Sequence, residues 1–151
     1  MTDIYDKETS TIGSFEYISL PELNMSDVVA KIDTGAYSGA IHCTNIRVVR
    51  RKSDNKKVLR FNPSGNMENL IETEKYKFVF VTSSSGHRSK RYIIETELVL
   101  GDKRYTMLIG LSDRSDMKKE VLIGRRFLRE NNIIVDVRIN KELDDDPGET
   151  K

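Results

Sequence analysis

The chain has 151 residues, enough for one domain with a real core and too few for two. Charged residues make up 32%, hydrophobic ones 37%, and the net charge is +1, so the whole molecule has no strong pull toward nucleic acid or anionic lipid. Its longest apolar stretches, such as Phe78–Val81 and Ile133–Val135, are strand-sized and far too short to cross a bilayer.

The N-terminus is acidic and polar, with no apolar signal core. Cys43 is the one cysteine, so no intrachain disulfide can form, and the cytoplasm is the expected compartment. Residues 1–11 read as a flexible arm. Strands are expected at Phe15–Leu20 and Val28–Ile32, the second running into Asp33-Thr34-Gly35-Ala36, and again at Ala40–Val49. Residues Arg47 to Arg60 hold seven Lys/Arg against one acid, Asp54. A basic stretch of that kind can contact phosphate. No interleaved aromatics or recognition helix accompany it, so it reads as a solvated hairpin leading into a strand at Val58–Phe61, with no nucleic acid partner.

Asn62-Pro63-Ser64-Gly65-Asn66 is a turn signal, and Lys75–Val81 is the next strand. Thr82–Ser89, small and polar, makes a mobile hairpin tip that includes Ser85 and Gly86. Ile94, Thr96, Leu98 and Leu100 share one strand face while Glu95 and Glu97 point the other way. Gly101–Arg104 then turns the chain into Tyr105–Ile109, so 91–110 reads as a hairpin. One short helix is expected: Gly124 opens it, Arg125–Glu130 forms it, and Asn131-Asn132 supplies the left-handed residue that ends it. Ile133, Val135, Val137 and Ile139 alternate with Asp136 and Arg138 in a last strand, before an acidic flexible tail over 141–151. The sum is a mostly β chain, closed or barrel-like, with one short helix near its C-terminal end.

The residues that carry chemistry begin with Asp33. A strand ends in apolar Ile32 and delivers a carboxylate at the start of a tight turn. Gly35 lets the backbone fold back, and the Thr34 hydroxyl can brace the turn. A loop of this kind holds a carboxylate still and partly desolvated, which hydrolysis by a bound water requires. As a lone tripeptide, Asp-Thr-Gly is also ordinary turn chemistry. The second signal is Val121-Leu122-Ile123-Gly124-Arg125 before the helix. Asp113, in Leu111-Ser112-Asp113-Arg114-Ser115, reads as an acid lining the cleft, as a partner of Arg114, or as a turn acid satisfied by backbone donors. Asp136 reads as half of an ion pair with an arginine.

Metal ligands are scarce. Only His42 and His87 exist, with no His-Glu-x-x-His and no paired cysteines. His42 and Cys43 are strand neighbours and point to opposite faces. A site from His42, His87 and Asp33 needs the fold to assemble it. No Gly-rich Lys-Ser/Thr loop for ATP is present, and no cofactor or metal is expected.

Ala30-Lys-Ile-Asp-Thr-Gly-Ala36, the hairpin tip 38 residues before Gly124, and Val121–Leu128 stand in the order of the retropepsin pattern. With Ser38–His42, Arg91–Gly101, Leu111–Met117 and Val135-Asp136, the chain resembles the bacterial retropepsin-like family long labelled ATP-dependent zinc proteases, from about residue 12 to 139. Tyr37-Ser-Gly and Cys43 depart from that pattern without touching the carboxylate. The resemblance implies a retropepsin-like closed β-barrel over 12–140 and an aspartic peptidase. Asp33 would activate water as half of a dyad, with Thr34 and Gly35 bracing the loop. Ala36, Ser85, Gly86, Asp113 and Arg114 are the expected substrate-binding residues. With one Asp-Thr-Gly per chain, a homodimer would complete the dyad. The family's members often accompany the ATP-grasp ligase that adds glutamates to a ribosomal protein, and Arg88, Arg91, Arg114, Arg125 and Arg126 suit an acidic peptide or serve equally as surface or helix-capping residues. Two other readings stay open: a metal-dependent hydrolase using His42 and an acid, and a non-catalytic peptide-binding module.

Overall fold

The computed structural model describes residues 8–113, 115 and 118–145. Its chain order is β1 (Ser10–Ile12), β2 (Phe15–Leu20), β3 (Met25–Asp33), β4 (Gly39–Arg50), β5 (Lys57–Pro63), β6 (Ile71–Thr73), β7 (Lys77–Thr82), β8 (Arg88–Leu100), β9 (Lys103–Ser112), β10 (Val121–Gly124), α1 (Arg125–Glu130) and β11 (Ile133–Val135). Strand order β10-β3-β2-β8-β9-β4, with β4 pairing back onto β10, closes a six-stranded barrel. β5 and β6 extend from β4, β7 pairs with β8, and β1 pairs in parallel with β11. The mostly β, barrel-like class with one short helix is thus observed.

The barrel is closed by its inward residues. Ile94, Thr96, Leu98 and Leu100 are buried, as their alternation requires, together with Ile18 and Leu20 of β2, Ile41 of β4, Ile109 of β9 and Val121 and Ile123 of β10. Fully burying a side chain of this size stabilises by about 1.5–3 kcal/mol. Basic Arg47–Arg60 is a hairpin between β4 and β5 whose charges are largely used at home. Arg51 reaches Asp54, Glu72 and Glu74, and Arg60 reaches Glu72. Helix α1 has the expected bounds, buries Phe127 and Leu128, and is followed by Asn132 in the left-handed region (φ 55°). No helix among the described residues is long and apolar enough to cross a membrane.

The last strand is shorter than its alternation predicts. β11 stops at Val135, and Val137 is 71% exposed. Asp136 ends it: its carboxylate accepts the Arg138 N–H (3.0 Å) and guanidinium (2.7 Å), its carbonyl accepts the Ile139 N–H (3.1 Å), and Asn140 turns left-handed (φ 57°). Local side-chain-to-backbone bonds outcompete the ladder. The expected Asp136–arginine ion pair is present.

The boundary expected at residue 12 falls inside β1, which Lys103 secures by donating to Ser10 Oγ (2.8 Å). Residues 1–7 of the expected arm and 146–151 of the expected tail lie outside the described residues. Within that tail, Lys141–Leu143 forms a 3₁₀ turn and Asp145 pairs with Lys119 (3.0 Å).

Asp136 also predicts a pH effect. Its bonds to Arg138 hold its carboxyl at about 2, below the ordinary 3.8. A depressed folded-state pKa contributes stability that is present above the unfolded value and lost as pH falls through the folded one. The stability advantage of wild type over Asp136→Asn, read from urea midpoints, should therefore shrink between pH 4 and pH 2 and be constant from pH 5 to 7.

Candidate functional site

β10 lies between β3, its parallel neighbour, and β4, its antiparallel one, with Gly124 level with Asp33. The segment 34–38 joining β3 to β4 must therefore cross the end of β10. It does so over Gly124: a Cβ there would lie 2.5 Å from the Tyr37 carbonyl oxygen and 2.8 Å from the Ser38 carbonyl carbon. Helix α1 starts at that crossing, where its first N–H groups lack partners within the helix. The loop supplies them: Arg125 N–H donates to the Ala36 carbonyl (2.8 Å) and Arg126 N–H to that of Tyr37 (3.0 Å). The Arg125 side chain donates to the Gly35 carbonyl (3.0 Å) and stacks on the Tyr37 ring at 5.5 Å.

Asp33 heads this braced loop. Ile32 before it is buried, Asp33 is half-buried, and Thr34 and Gly35 are exposed. Its Oδ1 accepts the Gly35 N–H (3.0 Å), and its carbonyl accepts the Ala36 N–H (3.2 Å). The carboxylate is therefore anchored through one oxygen at the head of the loop.

A cleft of about 500 Å³ begins at Ala36, three residues past Asp33. One wall is Ala36–Ala40, another is Lys77, Val79 and Val81 of β7, and a third is Arg91, Ile93, Leu108 and Gly110 of β8 and β9. The volume is that of a ligand site, and its lining mixes apolar surface with a few charges. The β7–β8 hairpin overhangs the cleft as a flap. Its other face carries Phe78 and Phe80, under Lys90 and Arg88 respectively. At the tip, Gly86 takes φ 84° and Ser83 accepts the His87 N–H (3.1 Å).

The expected residues are thus distributed. Asp33, Thr34, Gly35 and Ala36 form one loop, with Ala36 in the cleft wall. Ser85 and Gly86 sit at the exposed flap tip and do not line the cleft. Asp113 follows β9, exposed, and its charge reaches Cys43. Arg114 lies outside the described residues. Of the other arginines, Arg91 and Arg126 line the cleft, Arg126 already paired with Glu130 (2.9 Å). Arg125 braces the loop and Arg88 faces away over Phe80. Lys77, Val79 and Val81 went unread in sequence, although β7's alternation places them on one face.

Zinc, implied by the resembling family's label, does not fit the donors present. Cys43 is fully buried, and burial, then Asp113, pushes its thiol up to about 12, so it stays protonated. His87 is exposed at the flap tip, and no three His, Cys, Asp or Glu among the described residues come together as a metal site.

Comparison with known proteins agrees with this architecture. A crystal structure of a Legionella pneumophila protein of unknown function (DUF785) superposes with a TM-score of 0.58 at 24% identity, covering 86% of this chain and 94% of that one. At that identity the likeness is one of fold. A protein of Shewanella pealeana named probable alpha-L-glutamate ligase is 30% identical over 126 residues, 82% of this chain. One of Parasynechococcus marenigrum with the same name is 28% identical over 137 residues, 89% of this chain. The chain spans only 28% and 29% of those relatives' lengths. The profile described as "Retropepsin-like aspartic endopeptidase RimB" matches residues 11–144, and the chain belongs to this RimB-like, retropepsin-like family.

Proposed function

We propose that this chain is an aspartic-type peptidase in which Asp33 activates the attacking water, completed by Asp33 of a second copy. The observation that carries this reading is the Asp33 loop, pinned by Gly124 beneath it and by α1's first N–H groups, beside a cleft under a flap. Two carboxylates a few ångströms apart cannot both ionise, so they share one proton and supply a base and an acid at one site. Aspartic proteases are the standard example of that pKa logic. In this reading one carboxylate takes the water's proton as oxygen attacks the peptide carbonyl, and the other protonates the departing amine. The chain holds a single Asp-Thr-Gly, so a two-fold homodimer meets the requirement. Thr34 and Gly35 hold the loop, and Ser85 and Gly86 move with the flap onto bound peptide.

The substrate we infer is an acidic peptide, glutamate-rich in the simplest case. Lys77 and Arg91 line the cleft without ion-pair partners among the described residues, and relatives named glutamate ligases share this domain. Such a peptidase would act on the product of an ATP-grasp glutamate ligase, in the cytoplasm. The test is cleavage of matched peptides bearing Glu or Gln around the scissile bond, with chelator present. Wild type should prefer Glu, and Arg91→Glu should weaken that preference by up to about 5-fold, the upper size of one exposed charge contact. Equal cleavage of both peptides by wild type would remove the acidic-substrate reading. Activity lost to chelator and restored by zinc would favour the metal-dependent one.

A further inference from the structure

The cleft beside the Asp33 loop does not end under the flap. Two of its wall residues, Glu95 of β8 and Thr106 of β9, also wall a second open cavity of about 450 Å³. Its far side is Glu22, Thr73, Lys75 and Arg104. A pocket of about 160 Å³ opens from the same place toward the core, at Leu23, Ile94 and Thr96. Cleft and cavity therefore share a floor along the outer face of β9, from Gly110 through Leu108 and Thr106 to Arg104. Six steps of about 3.3 Å make that strip about 20 Å long, room for about six residues of extended peptide.

Beside the strip, the outer edge of β8 changes partner. On the side of β8 away from β9, β7 pairs with Arg88–Ile93 and β2 with Val99 and Leu100. No described strand covers the stretch between, where the Glu97 N–H donates to the Glu22 carboxylate instead (2.7 Å). The 3₁₀ turn Pro21–Leu23 packs on that stretch and caps it, so the strip is offered by the outward face of β9 and the side chains around it.

Charge says what the strip would hold. Glu97 is taken up by Arg104, whereas Glu95 makes no ion pair among the described residues. Glu95 stands level with Leu108, two residues along β9 from Gly110, where cleft and cavity join. An acidic side chain there meets like charge; a basic one meets its complement. Farther out, Lys75, without an ion pair among the described residues, favours an acid again.

We propose that this strip continues the substrate groove: it holds the distal segment of a long peptide in extended form, and Glu95 selects a basic side chain at the joint. The proposal rests on the peptidase reading and adds a position of opposite charge preference to it. It is tested with full-length protein carrying Asp33→Asn, so that binding is read by fluorescence anisotropy without turnover, using synthetic 6- and 12-residue acidic peptides. A single lysine is walked through the longer one, and wild type is assayed for cleavage of both. The 12-residue peptide should bind at least tenfold tighter. Lysine at one distal position should improve binding about 3- to 5-fold over glutamate, and Glu95→Lys should reverse that preference. Equal affinity for both lengths, or a lysine scan that is flat or unchanged by Glu95→Lys, overturns the proposal while cleavage of the short peptide leaves the peptidase reading standing. If neither peptide is bound or cleaved, both fall.

Discussion

Asp33→Asn should cut peptide hydrolysis by about 10²–10⁴-fold, the range for losing a general base, with the fold intact. The substitution keeps the side chain's shape, and the amide oxygen can still accept the Gly35 N–H that Oδ1 now holds at 3.0 Å. On the proposed mechanism, what it removes is the site that would take the water's proton. Asp113→Asn is the control. Asp113 lies outside the Asp33 loop, at the end of β9, and its neutralisation should cost far less. Circular dichroism and thermal melts must accompany both assays, since a loop braced through an acceptor can unravel when that acceptor changes. A well-folded Asp33→Asn that cleaves like wild type, beside an inactive Asp113→Asn, would mean that the working acid is Asp113.

The second large effect is on stability. Gly124 has φ −90°, open to any residue, so what it provides is space. An alanine Cβ would lie 2.5 Å from the Tyr37 carbonyl oxygen and 2.7 Å from its carbon. Both are backbone atoms, held on one side by β10's pairing with β3 and β4 and on the other by the N–H groups of Arg125 and Arg126. No side-chain rotation relieves that clash. Overpacking costs typically 1–3 kcal/mol, and a rigid backbone contact puts Gly124→Ala at about 3 kcal/mol. In a chain of this size that lowers Tm by roughly 6–12 °C. Activity should fall further than the melt alone explains, because relief can come only by displacing the loop that carries Asp33. Gly101→Ala, at a turn with φ 64° and nothing within 4 Å, meets strain without a clash and should cost about 1–2 kcal/mol, with activity kept. A Gly124→Ala protein as stable and active as wild type would show that the loop does not depend on the strand beneath it.

Local patterns carried most of the fold into the sequence. The Ile94–Leu100 alternation declared the inward face of β8, and Gly124 with Asn131-Asn132 bracketed α1 correctly. Where alternation met a competing local bond, it misled: Ile133–Ile139 looks like a strand, yet Asp136 bonds its own turn and ends it. Long-range pairing was illegible in any single segment. Nothing in Val121–Gly124 by itself says that it lies between β3 and β4. The Asp33 loop could be read because its residue types are local. The rest of the cleft could not, because Lys77, Glu95 and Leu108 come from separate elements whose meeting depends on how the barrel closes.

The shared dyad is tested most directly by mixing. Wild-type and Asp33→Asn chains, unfolded together and refolded at constant total concentration, should assort randomly into dimers. Only dimers with two Asp33 carboxylates hold the complete dyad, so cleavage should fall as the square of the wild-type fraction. A linear fall, with each wild-type chain keeping its activity whatever its partner, would contradict a dyad shared between two copies.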